Sequence, residues 1–297
     1  MSLYTFKRAT EVAIVHNGNV YYFDALSDYS LSQTVSKSTS SRKTLHRKSP
    51  VPITSQGILS PGNATLRVNS TTFFSEGVLF DLLGMDNSGA EHSFPRDLST
   101  EPLMFEIYIT SQHKLIKLEN CVIVGLDVSL RKGSGIVFNV SIDFGRLVDE
   151  EHSLEYLAAE PSVLHDSTAP LKVLLELPYN TIDLLGVSST NFSLQQEVTW
   201  RADRGIHSIG TLHVPTRALV TGLSLNCVIT TYLRNDTEEI DTVTKDANVT
   251  IDYGYLKIKI QNCTLSRRVS VEDLLTAQYD IALQDNSSVV VEYGVTK

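Results

Sequence analysis

The chain has 297 residues, 42% of them hydrophobic, and a formal net charge of −9 at neutral pH. This length and apolar content predict two domains of ordinary size, each with a modest core. No apolar run reaches the length of a membrane span, and residues 1–8 lack the apolar centre of a signal peptide. We therefore expect synthesis in a cytoplasm, no membrane partner, and three buried thiols at Cys121, Cys227 and Cys263.

Strands dominate the pattern along the chain. Residues 12–15 and 20–23 predict a hairpin around the turn Asn17-Gly18, and residues 173–177 and 181–185 predict a similar one. Val78, Leu79, Leu82 and Leu83 would share one face of a short helix. Residues 126–131 and 138–143 alternate apolar and polar side chains, which is typical of an antiparallel sheet with one face on a core.

One basic cluster interrupts this acidic chain between two predicted strands. It comprises Lys37, Arg42, Lys43, His46, Arg47 and Lys48. Such a run can contact nucleic acid, or it can form a hairpin arm that docks on an acidic surface of another copy. No aromatic residue lies among the basic ones, as a stacking platform for single strands requires. We favour the docking arm.

The chain also repeats itself in order. Residues 29–35 return as 192–198, and residues 66–73 return as 225–232. Asn120-Cys121 returns as Asn262-Cys263, and residues 138–142 return as 279–283. The repeat predicts a mainly β protein built from tandem duplicated antiparallel sheets, or partial barrels, with one short covering helix. We expect a first domain at 1–149, a linker at 150–170 and a second domain at 171–297.

Nothing in the sequence indicates catalysis. The eight histidines are scattered, and neither a nucleophile elbow, a phosphate-binding glycine motif nor a zinc-protease signature is present. We expect no enzyme activity, no cofactor and no metal site.

The order of segments along the chain resembles that of a known family. Met1-Ser2-Leu3 with Arg8 and Thr10 precedes an apolar strand, followed by a charged arm, a strand ending in Thr-Thr-aromatic, a helix and a two-strand unit opening with a cysteine. This order resembles the siphovirus-type phage major tail tube proteins whose subunit carries two fused tube domains. The resemblance implies a virion structural protein whose sheets join edge to edge into trimeric, pseudo-hexameric rings. By the same resemblance, these rings would stack into the conduit for genome ejection.

Within that resemblance, the polar strand faces are expected to line the lumen. The residues are Ser30, Ser32, Thr34, Thr65, Arg67, Asn69, Asp127, Ser129, Arg131, Asn139, Ser141, Asp143, Glu197, Arg268, Glu272 and Asp280. Five of them are acidic and three basic, which suits DNA that passes without binding. Lys37, Arg42, Lys43, Arg47 and Lys48 would form the arm that reaches the adjacent ring.

Other functions remain open. Within the same fold, the chain can be a tail-tip tube initiator or hub, or a tube of a secretion system. A different class would be a duplicated β-sandwich that binds a carbohydrate or protein. Expected partners are further copies of this chain and other tail proteins.

The apolar complement predicts two separate cores. The first comprises Leu66, Val68, Phe80, Leu83, Val128, Leu130, Phe138, Val140 and Ile142. The second comprises Leu225, Cys227, Val269, Val271, Tyr279, Ile281 and Leu283.

Overall fold

The computed structural model describes most of the chain. The described residues are 11–23, 26–36, 39–42, 51–54, 58–70, 74–89, 91–94, 101–111, 114–131, 133–150, 171–201, 215–233, 240–271 and 275–294. Residues 151–170, most of the predicted linker, lie outside them.

Where the structure describes it, the first half contains fourteen strands and one helix. The strands are β1 Glu11–His16, β2 Asn19–Phe23, β3 Leu26–Ser32, β4 Val35–Ser36, β5 Thr39–Arg42, β6 Val51–Thr54, β7 Ile58–Leu59, β8 Gly62–Asn69, β9 Asp86–Ser88, β10 Glu91–Ser93, β11 Phe105–Ser111, β12 Lys114–Arg131, β13 Val137–Phe144 and β14 Arg146–Glu150. A 3₁₀ turn at Ser75–Gly77 leads into the helix α1, Val78–Leu82.

The second half contains seven strands in the described residues. They are β15 Lys172–Glu176, β16 Thr181–Asp183, β17 Val187–Arg201, β18 Arg217–Tyr232, β19 Val243–Tyr253, β20 Leu256–Val271 and β21 Leu275–Tyr293. Every strand pairing in the described residues is antiparallel. The predicted class, mainly β with one short helix, is confirmed.

Eight strands form one uninterrupted run across both halves. Their order is β3, β8, β13, β12, β17, β18, β21 and β20, with four strands from each half. Strands β12 and β17 join the halves over Gly125–Arg131 and Ser189–Gln195. We name this contact the internal junction.

The pairing order of the first half recurs in the second. The hairpin β1–β2 corresponds to β15–β16, and both hairpins pair through their first strand, with β11 and β19 respectively. The pairs β11–β12, β12–β13, β13–β8 and β8–β3 correspond to β19–β20, β20–β21, β21–β18 and β18–β17. The predicted turn at Asn17-Gly18 is confirmed, with φ of 49° and 81°, as a type I′ turn requires.

The repeated Asn-Cys pair marks the same irregularity in each half. Asn120 has φ of 55° and Asn262 has φ of 54°, the left-handed region that asparagine tolerates best after glycine. The ladder with the preceding strand shifts register beside each of them. All three cysteines are free and buried, as expected.

The predicted helix is present where it was expected. Val78, Leu79, Leu82 and Leu83 are all buried, which confirms its apolar face. The chain then forms the hairpin β9–β10, and β10 pairs with β21 of the second half. The first half therefore adds a strand to the sheet of the second.

The core is single, so the prediction of two separate cores is wrong. One continuous cluster of buried side chains includes residues of both halves. Phe80 and Phe138 of the first half lie 6.3 and 5.7 Å, between ring centroids, from Tyr293 of the second. The two halves share a core here because Phe80 of α1 contacts Tyr293 of β21 and because β10 pairs with β21.

The predicted core residues of the first half are all buried, but one error appears in the second. Val269 is 50% exposed, whereas Leu225 packs against the core in part. The side chain of Val271 lies outside what the structure describes. Cys227, Tyr279 and Ile281 are buried as predicted, and Leu283 packs against the core in part.

On strands β18 and β20, the residues that correspond to the first half differ by two positions from the predicted ones. Leu66 lies opposite Tyr29 and Val140, and the residue opposite Phe192 and Ile281 is Cys227 rather than Leu225. Likewise Asp127 lies opposite Asn139, while the residue opposite Asp280 is Ser266 rather than Arg268. Side chains alternate with period two, so this shift leaves every residue on its predicted face.

Candidate functional site

The candidate site is a surface. Among the described residues, no group of histidine, cysteine and acidic side chains is placed to hold a metal ion. No helix in the described part has the length and apolar character needed to cross a membrane. The feature that stands out is the polar face of the eight-strand run, which we call the polar face.

Directly opposed residues show that the polar face is continuous across both halves. One row crosses six strands through Asp28, Arg67, Asn139, Asp127, Ser193 and Asn226. A second row crosses seven strands through Asn69, Val137, Ser129, Asn191, Val228, Asp280 and Ser266. The Ser129 hydroxyl donates to Asn191 Oδ1 at 3.1 Å, which links the halves at the internal junction.

Those residues predicted to line a lumen that the structure describes lie on this face or at its margin. The exposed ones are Ser30, Ser32, Thr34, Thr65, Arg67, Arg131, Glu197 and Arg268. The half-buried ones are Asn69, Asp127, Ser129, Asn139, Ser141, Asp143 and Asp280. Thr34 lies between β3 and β4, and Glu272 lies outside the described residues.

Several side chains on the polar face form hydrogen bonds or ion pairs with one another. Ser30 Oγ and Thr65 Oγ1 lie 2.6 Å apart across β3 and β8. Arg268 Nε lies 3.2 Å from Asp280 Oδ2, and Gln278 Nε2 donates to Asp280 Oδ1 at 2.8 Å. The cross-strand contacts of Ser30 with Thr65 and of Arg268 with Asp280 stabilise the sheet, and the contact of Gln278 with Asp280 lies within one strand.

Asp143 is an acidic residue on this face whose pKa is perturbed. Partial burial raises the pKa of its carboxyl above the ordinary value, and hydrogen bonds from Trp200 and Asn63 oppose that rise. Asn63 Nδ2 lies 2.8 Å and Trp200 Nε1 3.3 Å from the carboxylate oxygens. A negative charge is thus held partly out of water at the margin of the sheet.

The predicted arm grows out of the polar sheet as a hairpin. Strands β3 and β8 continue as the pairs β4–β7 and β5–β6. Gln33 fixes its base, because its amide donates to the carbonyl oxygens of Ser60 and Gly145 at 3.1 and 2.9 Å. The backbone of Arg42 lies in β5 opposite Val51. Lys37, Lys43, Arg47 and Lys48 lie outside the described residues.

The chain matches the Bacteriophage Baseplate Tube Protein Family over residues 2–297. The chain belongs to this family. It is also 27% identical over 286 residues to the baseplate tube protein p140 of Escherichia phage T5, covering 94% of this chain and 93% of that protein.

A solved cryo-EM structure of the anti-feeding prophage baseplate contains a chain with 15% identity and a TM-score of 0.31. The match covers 52% of this chain and 100% of that chain. At that score the likeness adds no support for a shared fold.

Family membership refines the predicted identity. The chain is a phage tail tube component of the baseplate type, so the resemblance to major tail tube proteins was correct only at the level of the tail tube. The tail-tip alternative is nearer to this result. A structural family also agrees with the expectation that the chain is not an enzyme, and it indicates a location in the virion tail.

Sequence reasoning missed the residues that join the halves. The pairing of β12 with β17 carries no sequence signal, because neither strand differs in alternation from those inside each half. The contact between Asn120 Nδ2 and the carbonyl oxygen of Pro215, at 3.4 Å, was also missed. Only the repeated Asn-Cys pair drew attention to that corner.

Proposed function

We propose that this chain is the structural subunit of the tube inside a phage tail baseplate. Three copies form a closed ring, the polar face lines its lumen, and the genome passes through it. The chain acts as two fused tube domains, at 1–149 and 171–297, so that the ring is pseudo-hexameric. Its partners are further copies of itself and other baseplate and tail proteins.

The observation that carries this proposal is the eight-strand run. Four strands from each half already pair side by side within one chain, and the run has one polar face and one face on the core. A sheet with open edges is prone to associate with other chains, and closure of several such sheets into a ring removes the edges. A ring of this kind needs no fold element beyond those present.

The chemistry of the polar face suits a conduit. The described lumen candidates are mostly serine, threonine and asparagine, and several of the charged ones are paired or hydrogen-bonded, as Arg268 and Asp143 show. DNA affinity comes chiefly from cationic contacts with phosphates. A neutral to weakly acidic wall therefore lets DNA slide past it.

The arm is proposed to contact the neighbouring ring in the stack. Exposed ion pairs contribute only about 0.2–1 kcal/mol each, but symmetry repeats them around the ring. We expect the substitution of Arg42, Lys43, Arg47 and Lys48 by glutamate to leave single rings intact and to stop stacking, as counted by electron microscopy. Normal stacking by that variant would contradict the docking role, and arrest of DNA binding instead would favour the nucleic-acid alternative.

The test of the proposed function is the assembly state of the purified full chain. Mass photometry and negative-stain microscopy should show closed rings of three copies, alone or in short stacks. Long hollow filaments would favour a tube along the whole tail, and a closed trimer that never stacks would favour a tail-tip hub. A protein that stays monomeric at high concentration would contradict the proposal and favour the binding module.

A further inference from the structure

The two ends of the eight-strand run differ in how they are covered. On β3, no described strand pairs with the edge opposite β8. On β20, the edge opposite β21 pairs with β19, where Thr244 faces Leu265 and Val243 faces Ser266. Beyond Arg267, whose amide donates to the Thr242 carbonyl at 2.9 Å, no described residue pairs with that edge.

In the first half, the strand edge that corresponds to this edge of β20 is paired, at the internal junction. Strand β12 has the same pairing position as β20, and β17 has the same position as β3. Following the opposed residues across each half, Leu126 corresponds to Leu265, and Phe192 corresponds to Tyr29. In the first half, the edge of β12 from Gly125 to Arg131 is taken by β17.

The register of the internal junction can be transferred residue by residue. Leu126 faces Leu194 and Ser129 faces Asn191. If β3 of another copy pairs with β20 in the same register, Leu265 lies opposite Leu31 and Arg268 lies opposite Asp28. That register places a guanidinium directly opposite a carboxylate, the arrangement that favours a cross-strand pair. The Arg268 side chain is 79% exposed, and its Nε lies 3.2 Å from Asp280 of the same chain, so Asp28 of the second copy would share the guanidinium with Asp280.

In the isolated chain, residues 242–244 lie where that second copy would pair. We call these three residues the edge cap. A bulge at Lys245 and Asp246, where Asp246 has φ of 56°, separates the edge cap from the rest of β19. Val243 in the edge cap is 56% exposed. The edge cap has no counterpart on β12, whose edge pairs with β17 instead.

We propose that β3 of a second copy replaces the edge cap on β20, in the register of the internal junction, with Arg268 opposite Asp28 of the second copy. The inference rests on the proposed function, because it names the surface through which the ring closes. The contact is head to tail, so each copy offers one β3 edge and one β20 edge and the ring closes after a fixed number of copies. Ring closure then requires the edge cap to leave β20 while the bulge acts as its hinge.

A reversible covalent lock tests this displacement. The bond from the Arg267 amide to the Thr242 carbonyl makes Val243 and Ser266 a non-hydrogen-bonded pair, whose side chains lie close enough for a disulfide. The double variant Val243→Cys with Ser266→Cys should form no rings when oxidised and form them again after reduction. The three native cysteines are buried, and each single variant under the same redox treatment serves as the control.

The outcomes separate this inference from the proposed function. If the reduced chain forms rings and the oxidised chain forms them equally well, the edge cap stays in place and the inference is wrong. If neither the native chain nor the reduced variant forms rings, the proposed function itself fails.

A charge exchange tests the register independently of the lock. Arg268→Glu and Asp28→Arg should each lower the fraction of chains in rings, and the two together should restore it. Melting temperature serves as the check that each variant is folded. Restoration by the pair supports Arg268 opposite Asp28, and rings that remain unaffected by either single change contradict that register.

Discussion

Strands β12 and β20 occupy the same place in the pairing order but have different surroundings. Leu130 on β12 is fully buried, whereas Val269, at the corresponding position of β20, is 50% exposed. The helix α1 packs against β12. Alternation along a strand therefore determines which face a side chain is on, while the elements that lie over that face determine whether it is buried.

The partner strands of β12 and β20, which are β13 and β21, do not differ in this way. Phe138 on β13 and Tyr279 on β21 are both fully buried, and each lies at the same position of its ladder. The two halves thus share a sheet whose centre is equally buried on both sides. They differ at the outer end of β20.

The largest expected effect comes from the shared centre. Phe138→Ala should lower the free energy of unfolding by about 3–5 kcal/mol, because it leaves a cavity beside Phe80 and Tyr293. The core is continuous, so thermal unfolding should remain a single transition at a lower temperature. Leu185→Ala, at a side chain that is 48% exposed, is the matched control and should change little. Separate transitions for the two halves would contradict a single core.

The corner between the halves gives the next effect. A methyl group at Gly145 would overlap the backbone oxygen of Pro215, in the second half, and lie 3.2 Å from atoms of Asn120. Gly145→Ala should therefore cost about 1–3 kcal/mol of stability by overpacking. At Gly125 the same methyl group would meet Ser141 Cβ at an ordinary 3.5 Å, so Gly125→Ala is the matched control. Equal denaturation midpoints for the two variants would mean that this corner is not tightly packed.

Two tyrosines on β21 differ in whether the hydroxyl group has a hydrogen-bond partner. The Tyr293 hydroxyl donates to Glu76 Oε2 at 3.0 Å and lies 2.7 Å from Ser70 Oγ, both in the first half. Tyr293→Phe should cost about 1–3 kcal/mol, because the buried carboxyl of Glu76 loses a donor. The Tyr279 hydroxyl is buried without a hydrogen-bond partner in the described structure. Tyr279→Phe should be neutral or slightly stabilising, and chemical denaturation of both variants decides the order.

The smallest effect concerns Asp143 on the polar face. Burial raises the pKa of Asp143 in the folded state, so between the ordinary carboxyl value of about 4 and the raised value the folded chain binds more protons than the unfolded one. Stability should therefore fall as pH rises through that window. Asp143→Asn should remove this part of the slope, as measured by melting temperature against pH. An unchanged slope would mean that the carboxylate is fully solvated.

Much of the fold could be predicted because its signals are local. The Asn17-Gly18 turn, the apolar face of α1 and the alternation of β13 each depend on a few adjacent residues. The repeated Asn-Cys pair was informative for the same reason, since a left-handed residue recurs at one place.

The errors came from effects that a local pattern does not contain. A match shifted by two residues keeps every side chain on its face, so alternation did not reveal that Cys227, rather than Leu225, corresponds to Leu66. The exposure of Val269 depends on what lies over the end of β20, and the single core depends on the pairing of β10 with β21. The placement of the polar face in a ring and the domain boundaries stay predictions.

The most direct test of the central claim is a cryo-EM structure of the assembled full chain. We expect a ring in which the eight strands of each copy continue into the next and in which Ser129, Asn139 and Ser141 face the lumen. A ring with these side chains on its outer surface, or buried between copies, would contradict it.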